Sequence, residues 1–408
     1  MAVFSTLTIE EATELLIDYR GKTPPKTGAG VRLVTAKVVK GGQIHDEPAE
    51  YIAADFYDEW MRRGLPQKLD VLLTTEAPLG EVAILRNDAR IALAQRIILL
   101  RAKPGLLDPL YLFYALQSDF GQGELKARAS GTTVLGIKQS ELRKVRVPAF
   151  PLPVQQRIAG ILSAYDELIE NSQRRIKILE SMARALYREW FVHFRFPGFE
   201  SAPRVPSPIG EIPQGWEVKR VTNAIQVNPR VIVPRDGEKP FVPMGCLAND
   251  SMLISDIESR GGNSGSKFQN GDTLFARITP CLENGKTGFV QFLPDASAVA
   301  FGSTEFIVLR SASLSPEFVY CLARSDEFRG VAIKSMSGAT GRQRVQEKCF
   351  DDFKIAQPPQ ELLDQFSTIV APSFRLIYKL YLQVQNLRRT RDLLLPRLMS
   401  GQIEAKDI

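Results

Sequence analysis

Short motifs that could bind a nucleotide are present in this sequence but incomplete. The triplet Gly-Lys-Thr, with which a phosphate-binding P-loop ends, occurs at Gly21–Thr23 and again at Gly285–Thr287. A P-loop also needs a glycine five residues before this triplet, and Leu16 and Pro280 stand there instead. A further segment, Gly28–Gly30, lacks the last glycine of a dinucleotide-binding motif. We therefore expect all three segments to be turns or loops.

Signatures of methyl transfer and of DNA cleavage are incomplete as well. A methyltransferase needs an Asn/Asp-Pro-Pro-aromatic motif, but Pro24–Pro25 follows a threonine and Pro358–Pro359 follows a glutamine. The Glu-x-Lys of metal-dependent nucleases occurs at Glu124–Lys126 and Glu404–Lys406, with no suitable aspartate on a strand before it. The sequence therefore predicts a chain without a catalytic site of its own. An enzyme whose site is unrecognised remains an alternative.

Residues that commonly bind metals are scarce and scattered. The chain has two histidines, His45 and His193, and four cysteines that form no CxxC pair. A zinc site is not expected, and the cysteines are predicted to be buried free thiols of a reducing compartment.

The composition is that of an ordinary globular protein of 408 residues, with 44% hydrophobic and 24% charged residues. No apolar stretch approaches the roughly 20 residues of a membrane span. The first residues lack the basic and apolar regions of a signal peptide, so we expect a cytoplasmic protein. The net charge of +6 permits nucleic-acid binding without arguing for it.

An internal repeat determines the predicted architecture. Asp70 and Pro78 recur as Asp272 and Pro280, 202 residues later, and AQRIILLR from Ala94 matches STEFIVLR 209 residues later. The series continues at an offset of 207 with Pro109, Ser118, Asp119, Ser130, Gly131, Thr133 and Pro151, which recur as Pro316, Ser325, Asp326, Ser337, Gly338, Thr340 and Pro358. Such an ordered series indicates a duplicated domain with loop insertions.

Each repeat is predicted to mix helices and strands. Alternating apolar residues indicate strands, prolines mark helix starts near Pro109 and Pro316, and Asn284–Gly285 is typical of a hairpin. Thr8 and Glu11 have the spacing of a capping box before a short helix. The predicted strands of the first repeat are Val31–Val39, Val71–Thr75, Val82–Leu85 and Ile97–Leu100.

After each repeat the apolar spacing changes to that of a coiled coil. Two rows of residues seven apart start at Ile158 and Leu162 in the first segment and at Leu363 and Phe366 in the second. Each predicted helix is about 35 to 40 residues long, and we expect the two to pair antiparallel. The fold class is thus α+β, with two repeated globular domains separated by two long antiparallel helices. The predicted boundaries are 1–152 and 216–359 for the domains, 153–196 and 360–408 for the helices, and 197–215 for a Pro-rich, semi-extended linker.

Several segments carry a family resemblance. SGTTVLGIKQSELRKVRVPAFPLPVQQRIAGIL and YREWFVHFRFPGFE resemble the central region of the specificity subunits of type I restriction-modification systems. IGEIPQGWEVKRV, GDTLFARITPCLENGKTGFV and LLLPRLMSGQIE resemble other signatures of that family, and all occur in family order. The motif Ile-Pro-x-Gly-Trp, at Ile212–Trp216, precedes only the second repeat. The first domain therefore has a shorter N-terminal segment than the second.

The resemblance implies a DNA-recognition subunit. Each globular domain would be a target-recognition domain that reads one half of a bipartite, asymmetric site in double-stranded DNA, and the helices would fix the spacer and dock two methylation subunits. Catalysis would belong to those partners and to restriction subunits, as an adenine-N6 methyltransferase and nuclease complex. S-adenosylmethionine, ATP and Mg would bind there and not to this chain. The specificity subunit of a type IIB system shares this plan and is an alternative.

Candidate DNA-binding residues lie in loops at matching places of the two repeats. Small residues let backbone N–H groups approach phosphates, and Arg and Gln can read base edges. The candidates are Ser130, Gly131, Thr132, Thr133 and Lys138 in the first repeat, and Ser337, Gly338, Thr340, Arg342, Gln343 and Arg344 in the second. Weaker candidates are Thr23, Lys26, Thr74, Thr75, Arg230, Arg277 and Thr279. A solvated loop is the alternative for each.

Aromatic residues crowd the end of the first long helix. Tyr187, Phe191 and Phe194 are candidates for binding a partner subunit, because one seam row cannot bury them together with Trp190. Packing on the linker and the second repeat is the alternative.

Overall fold

The structure, a computed structural model, describes residues 5–19, 21–339 and 341–403. Its contacts divide the chain into two units. Unit 1 comprises Met1–Ile169 with Asn386–Ile408, and unit 2 comprises Glu170–Gln385. Thr340, a predicted DNA contact, and the Glu404–Lys406 motif lie outside the described residues. None of the described helices is long and apolar enough to cross a membrane.

The first repeat and the helix after it contain eleven strands and six helices among the described residues. In chain order these are β1 Thr6–Thr8, α1 Ile9–Ala12, β2 Thr13–Asp18, β3 Val31–Val34, β4 Val39–Lys40, β5 Gln43–Ile44, β6 Tyr51–Ile52, α2 Tyr57–Trp60, β7 Val71–Thr75, β8 Leu79–Ile84, β9 Ile91–Leu93, β10 Ile97–Ala102, α3 Pro109–Gln117, α4 Asp119–Ala127, α5 Gln139–Leu142, β11 Arg146–Pro148 and α6 Leu152–Tyr187.

The linker, the second repeat and the last helix follow. Their elements are β12 Arg204–Ser207, β13 Gly210–Pro213, β14 Glu217–Arg220, β15 Ile225–Val227, β16 Lys239–Val242, β17 Glu258–Arg260, β18 Ser266–Gln269, β19 Thr273–Ala276, β20 Thr287–Phe289, β21 Val299–Gly302, β22 Phe306–Ser311, α7 Pro316–Arg324, α8 Asp326–Lys334, β23 Lys354–Gln357 and α9 Gln360–Met399. A π-helical turn, Arg188–Val192, continues α6.

The two repeats have the same sheet topology, which confirms the duplication. Four antiparallel strands have the order β2-β10-β7-β8 in unit 1 and β15-β22-β19-β20 in unit 2. Each unit has a second sheet with one parallel pair, β3 with β9 and β16 with β21. The first and last strands of each repeat also pair, β1 with β11 and β14 with β23. The predicted α+β class with two repeated domains is therefore confirmed.

A buried ion pair explains why aspartate recurs at the start of β7 and β19. Asp70 is 2% exposed and accepts two hydrogen bonds from Arg101 on β10, at 2.8 and 2.7 Å. Asp272 is 1% exposed and accepts two bonds of 2.6 Å from Arg310 on β22. Burial raises the pKa of the Asp272 carboxyl, and the bonds from Arg310 oppose that shift. Each ion pair therefore links two adjacent strands of the main sheet, β7 with β10 and β19 with β22.

The two long helices contribute to both units and confirm the predicted antiparallel pairing. In unit 1, Arg391 of α9 donates to Asp166 of α6 at 2.6 Å. Gly401, just after α9, lies near Phe150, just before α6. The two helices therefore run in opposite directions along this contact. Buried residues at the predicted seam spacing include Ile158, Leu162, Ile169, Ile176 and Ala183 of α6 and Leu363, Phe366, Val370, Ile377, Leu380, Val384 and Leu398 of α9.

Local structure differs from the sequence prediction at two connections. The linker, predicted to be semi-extended, contains a hairpin in which Arg204 pairs with Pro213 and Ser207 with Gly210. Gly210, with a φ of +103°, supplies the backbone conformation that the tight turn needs. The predicted hairpin around Asn284–Gly285 is present as β19 paired with β20. Its loop spans ten residues, because β19 ends at Ala276, well before the Asn-Gly pair.

Candidate nucleic-acid interface

Equivalent clefts lie at the same end of the main sheet in the two repeats. The cleft of unit 1 has a volume of about 380 Å³ and is lined by Gly21, Glu76, Gln95, Ser130, Val134, Gly136, Ile137 and Lys138. The cleft of unit 2 has a volume of about 440 Å³ and is lined by Asn228, Pro229, Arg230, Val231, Ile232, Gly265, Ser266, Lys267, Arg277, Thr304, Phe306 and Val308. Each cleft is lined in part by two loops of its own repeat. One loop follows the first strand of the main sheet, β2 or β15, and the other follows β7 or β19. The clefts contain four of the predicted contacts, Ser130 and Lys138 in unit 1 and Arg230 and Arg277 in unit 2.

In unit 1 the predicted loop is closed by backbone hydrogen bonds. Ser130 and Gly136 exchange two bonds of 2.8 and 3.0 Å, so the residues between them form an exposed tip. Gly131 has a φ of +122°, and a Cβ there would lie 2.1 Å from the carbonyl oxygen of Val134. Only glycine fits at this position. The closure presents Thr132 and Thr133 to solvent.

The loop of unit 2 is closed in the same way. Ser337 and Arg344 exchange two backbone bonds of 3.1 and 2.9 Å, and Gly338 has a φ of +124°. The Gln343 backbone N–H donates to the Thr279 hydroxyl at 3.1 Å. Arg342 is exposed at the tip. The structure thus brings the predicted loop residues of this repeat together with the end of β19.

The same backbone contact ties each loop to the main sheet. The N–H of Ile137 donates to the carbonyl of Thr75 at 3.0 Å, and the N–H of Val345 donates to the carbonyl of Arg277 at 2.8 Å. Lys138 follows in unit 1 and is exposed. The tip is therefore held at its base, which limits the entropy lost when a ligand binds.

An ion pair that includes one matching position of the repeat further restrains each loop region. Arg96 contacts Glu76 at 2.8 Å in unit 1, and Arg344 makes a bidentate contact with Glu305 at 2.7 to 3.0 Å in unit 2. Arg96 and Glu305 are the same position of the repeat. The bonds to Glu305 raise the pKa of Arg344. Arg344 was predicted to contact DNA, but its guanidinium already has a partner on the chain.

Three predicted contacts lie inside the structure, which corrects the sequence prediction. Thr74 and Thr75 are 0% and 1% exposed, because β7 is an inner strand with neighbours on both sides and both faces covered. Thr74 accepts a bond from the Glu81 N–H at 2.9 Å. Thr279 is 9% exposed and supports the loop of unit 2 as described. These threonines position the loops and do not present a surface.

The other weaker candidates have mixed surroundings. Thr23 is exposed two residues from the cleft residue Gly21. Lys26 forms an ion pair with Glu50 at 2.7 Å. Arg277 lines its cleft but donates to Glu347 at 2.8 Å and to the Val345 carbonyl at 3.1 Å.

Basic residues that sequence reasoning missed line the unit 2 cleft and its neighbour. Lys267 lies in the cleft with Arg230, and none of the lining residues is acidic. An adjoining cleft of about 550 Å³ shares Thr304 and contains Arg260, whose guanidinium lies 3.9 Å from the centre of the Phe241 ring. The glycine-rich segment around Gly261 and Gly265 was the available signal for these residues.

The predicted partner-binding aromatics are covered by the chain itself. Tyr187 and Phe191 are 6% and 7% exposed, and both contact Phe318 of α7, at 5.0 and 4.7 Å between ring centres. Phe194 is half-buried and packs edge-on against Trp216 at 5.3 Å. The partner-surface interpretation is therefore corrected in favour of packing within unit 2, because α7 and the residues after the linker supply the missing apolar surface.

Groups of metal-binding side chains are not found in residues 5–19, 21–339 and 341–403. The four cysteines are free, with Cys246 and Cys321 buried and Cys281 and Cys349 half-buried. Burial raises the pKa of the Cys321 thiol, so it is unreactive.

Comparison with known proteins gives one consistent family. The family described as type I restriction modification DNA specificity domain matches residues 62–181. The MjaIX specificity subunit of Methanocaldococcus jannaschii, a type I restriction enzyme subunit, is 28% identical over 83% of this chain and 78% of that protein. The MjaVIII specificity subunit of the same organism is 23% identical over 91% and 92%.

A solved structure has the same fold. The S subunit of a type I restriction-modification system from M. genitalium superposes with a TM-score of 0.60 over 97% of this chain and 96% of that chain, at 16% identity. The family, the relatives and the duplicated fold agree with the motifs found in the sequence. In its family match, its relatives and its fold, the chain is similar to the specificity subunits of type I restriction-modification systems.

Proposed function

We propose that the two repeats each read one half of a bipartite, asymmetric sequence in double-stranded DNA. The observation that carries this proposal is the pair of equivalent clefts at the ends of β7 and β19. A loop that is closed in the same way but carries different side chains is bonded to the end of each of these strands. Phosphate contacts position a protein on DNA, whereas base-edge contacts specify sequence. A shared scaffold with unlike loops therefore suits the recognition of two unlike half-sites by one chain.

Free cations in unit 2 support a DNA-binding role. Three basic side chains have no hydrogen-bond or ion-pair partner in the part of the chain that the structure describes, those of Arg230, Lys267 and Arg342. Arg230 and Arg342 are exposed. Their charges are available to phosphates, because no carboxylate neutralises them. Release of condensed counterions then makes binding weaken as salt rises.

The Arg342→Ala variant tests this assignment. We expect it to bind target DNA several-fold more weakly and to lower the slope of log K against log salt by about one, the value of one lost phosphate contact. Lys354→Ala is the matched control, because Lys354 is exposed on β23 and does not line either cleft of unit 2. If both variants keep the affinity and salt slope of the original chain, the loop does not contact DNA.

The two long helices are proposed to fix the spacer between the half-sites and to dock two methylation subunits. α6 has 36 residues and α9 has 40, so each is roughly 54 to 60 Å long at about 1.5 Å per residue. Each helix contributes buried residues to both units. A continuous helix resists bending, which is what a spacer element requires.

Methyl transfer to adenine and DNA cleavage are proposed to occur on partner subunits. S-adenosylmethionine would bind to the methylation subunits, and ATP and Mg would serve the restriction subunits. The purified chain, a methylation subunit and their mixture would be assayed for methyl transfer to host DNA. We expect activity in the mixture at sites that sequencing of the host methylome identifies. Methyl transfer by the chain alone would contradict this division of labour.

A further inference from the structure

One loop of unit 2 presents an isoleucine into solvent from a rigid base. Residues 228–235 follow β15, and the first five of them, 228–232, line the basic cleft. At one end, Asn228 donates its N–H to Val308 O at 2.7 Å, and its side-chain oxygen accepts from Val308 N at 2.9 Å. At the other end, Asn263 donates to the Val233 carbonyl at 3.0 Å. Both ends of the loop are therefore held.

The residues around Ile232 alternate between inside and outside. Val233 is 3% exposed and packs with Phe241 and Phe301, and Val231 is half-buried against the same cluster. Ile232 points away and is 91% exposed, the largest exposed fraction among the large hydrophobic residues that the structure describes. Its side chain contributes nothing to this core. Because isoleucine is branched at Cβ, few rotamers are lost when it is fixed by a ligand.

The residues around Ile232 indicate which kind of ligand its side chain contacts. Arg230 and Lys267 line the same cleft, and none of the lining residues is acidic. The basic side chains would attract a ligand with several negative charges. The apolar side chain of Ile232 would contact an apolar group on that same ligand. In the major groove of DNA, that group is the 5-methyl of thymine, which aliphatic side chains contact.

We propose that Ile232 is a specificity-determining residue that contacts a thymine methyl group in the major groove of the half-site read by unit 2. Arg230 and Lys267 contact the phosphates on either side. This inference rests on the proposed DNA-reading function and adds the identity of one recognised base pair.

The test uses the full chain assembled with its methylation subunits and a duplex that contains the target found by methylome sequencing. Each thymine of both half-sites, on both strands, is replaced in turn by deoxyuridine, which removes only the methyl group. With the original chain, one position should weaken binding about fourfold, the effect of one buried methyl group at about 0.8 kcal/mol. In Ile232→Ala that position should lose its effect, while other positions are unchanged. Ile209→Ala, at an exposed residue of the linker hairpin, should behave like the original chain.

Two results would overturn the inference, and they differ from failure of the proposed function. If the original complex binds its target specifically but no thymine methyl matters, or if Ile232→Ala keeps the same thymine preference, Ile232 does not read thymine. If the original complex does not prefer the target over a scrambled duplex, the proposed function itself fails and the inference falls with it. Thermal unfolding of Ile232→Ala should match the original chain, because the side chain is exposed.

Discussion

Glu180 of α6 is a buried carboxylate on which the packing of α6 within unit 2 depends. It is 3% exposed and accepts hydrogen bonds from the Tyr320 hydroxyl at 2.6 Å, the Met252 N–H at 3.0 Å and the Ser251 hydroxyl at 3.2 Å. Tyr320 and Met252 are fully buried. The hydroxyl and the backbone N–H would therefore have no acceptor in the Glu180→Ala variant.

The expected loss of stability follows from these bonds. A buried donor without a partner costs about 1 to 3 kcal/mol. Two such donors give about 2 to 6 kcal/mol for Glu180→Ala, with a central value of about 4 kcal/mol. Glu180→Gln should lose about half as much, because its carbonyl oxygen still accepts. Glu170→Ala is the matched control on the same helix, since Glu170 pairs with Arg174 at the surface and should change stability by less than about 0.5 kcal/mol.

Urea unfolding followed by tryptophan fluorescence measures this loss. The chain has three tryptophans, and a Trp60→Phe background leaves Trp190 and Trp216, both in unit 2. With a slope of about 3 kcal/mol per molar urea, the midpoint should fall by about 1 M. If Glu180→Ala lowers the midpoint no more than Glu170→Ala does, the three hydrogen bonds do not hold α6 in unit 2.

Four further changes test the fold, the packing of the aromatic residues and the proposed spacer. Arg310→Ala should cost about 3 to 5 kcal/mol by urea unfolding, because it leaves the carboxylate of Asp272 buried without its cation; a loss below 1 kcal/mol would contradict this. Trp190→Ala should destabilise unit 2 by about 3 to 5 kcal/mol, whereas Phe194→Ala should leave copurification with methylation subunits intact. Seven residues inserted in both α6 and α9 should lengthen the methylated spacer by about 3 base pairs, from about 10 Å of helix and about 3.4 Å per base pair, with unchanged half-sites. An unchanged spacer in a folded variant would show that the helices do not set it.

The sequence was sufficient for the features that depend on local pattern and on the repeat. Asp70 and Asp272 recur because each forms the same buried pair with an arginine, so the duplication appears directly in the residues. The seven-residue spacing predicts both long helices, since a seam needs apolar residues at that period. Gly131 and Gly338 correctly mark the closed loops, because both have positive φ.

Features that depend on distant partners were not predictable from the same patterns. The burial of Thr75 follows from its neighbours β8 and β10, which the local sequence does not specify. Phe191 is covered by Phe318 and Phe366, more than 120 residues away in the chain. Lys267 joins Arg230 in one cleft only because β18 and the loop after β15 are adjacent in the fold.

The sharing of the long helices between the units affects when unit 1 can complete its folding during synthesis. Its core includes Ile158 and Leu162 from the start of α6, and also Leu398 and Met399 from the end of α9. A ribosome makes the first pair more than 230 residues before the second. At about 5 to 20 residues per second, the part of this core that α9 covers waits roughly 10 to 50 seconds for those residues. Unit 1 is first to be made but can close its core only after the strands of unit 2 have been synthesised.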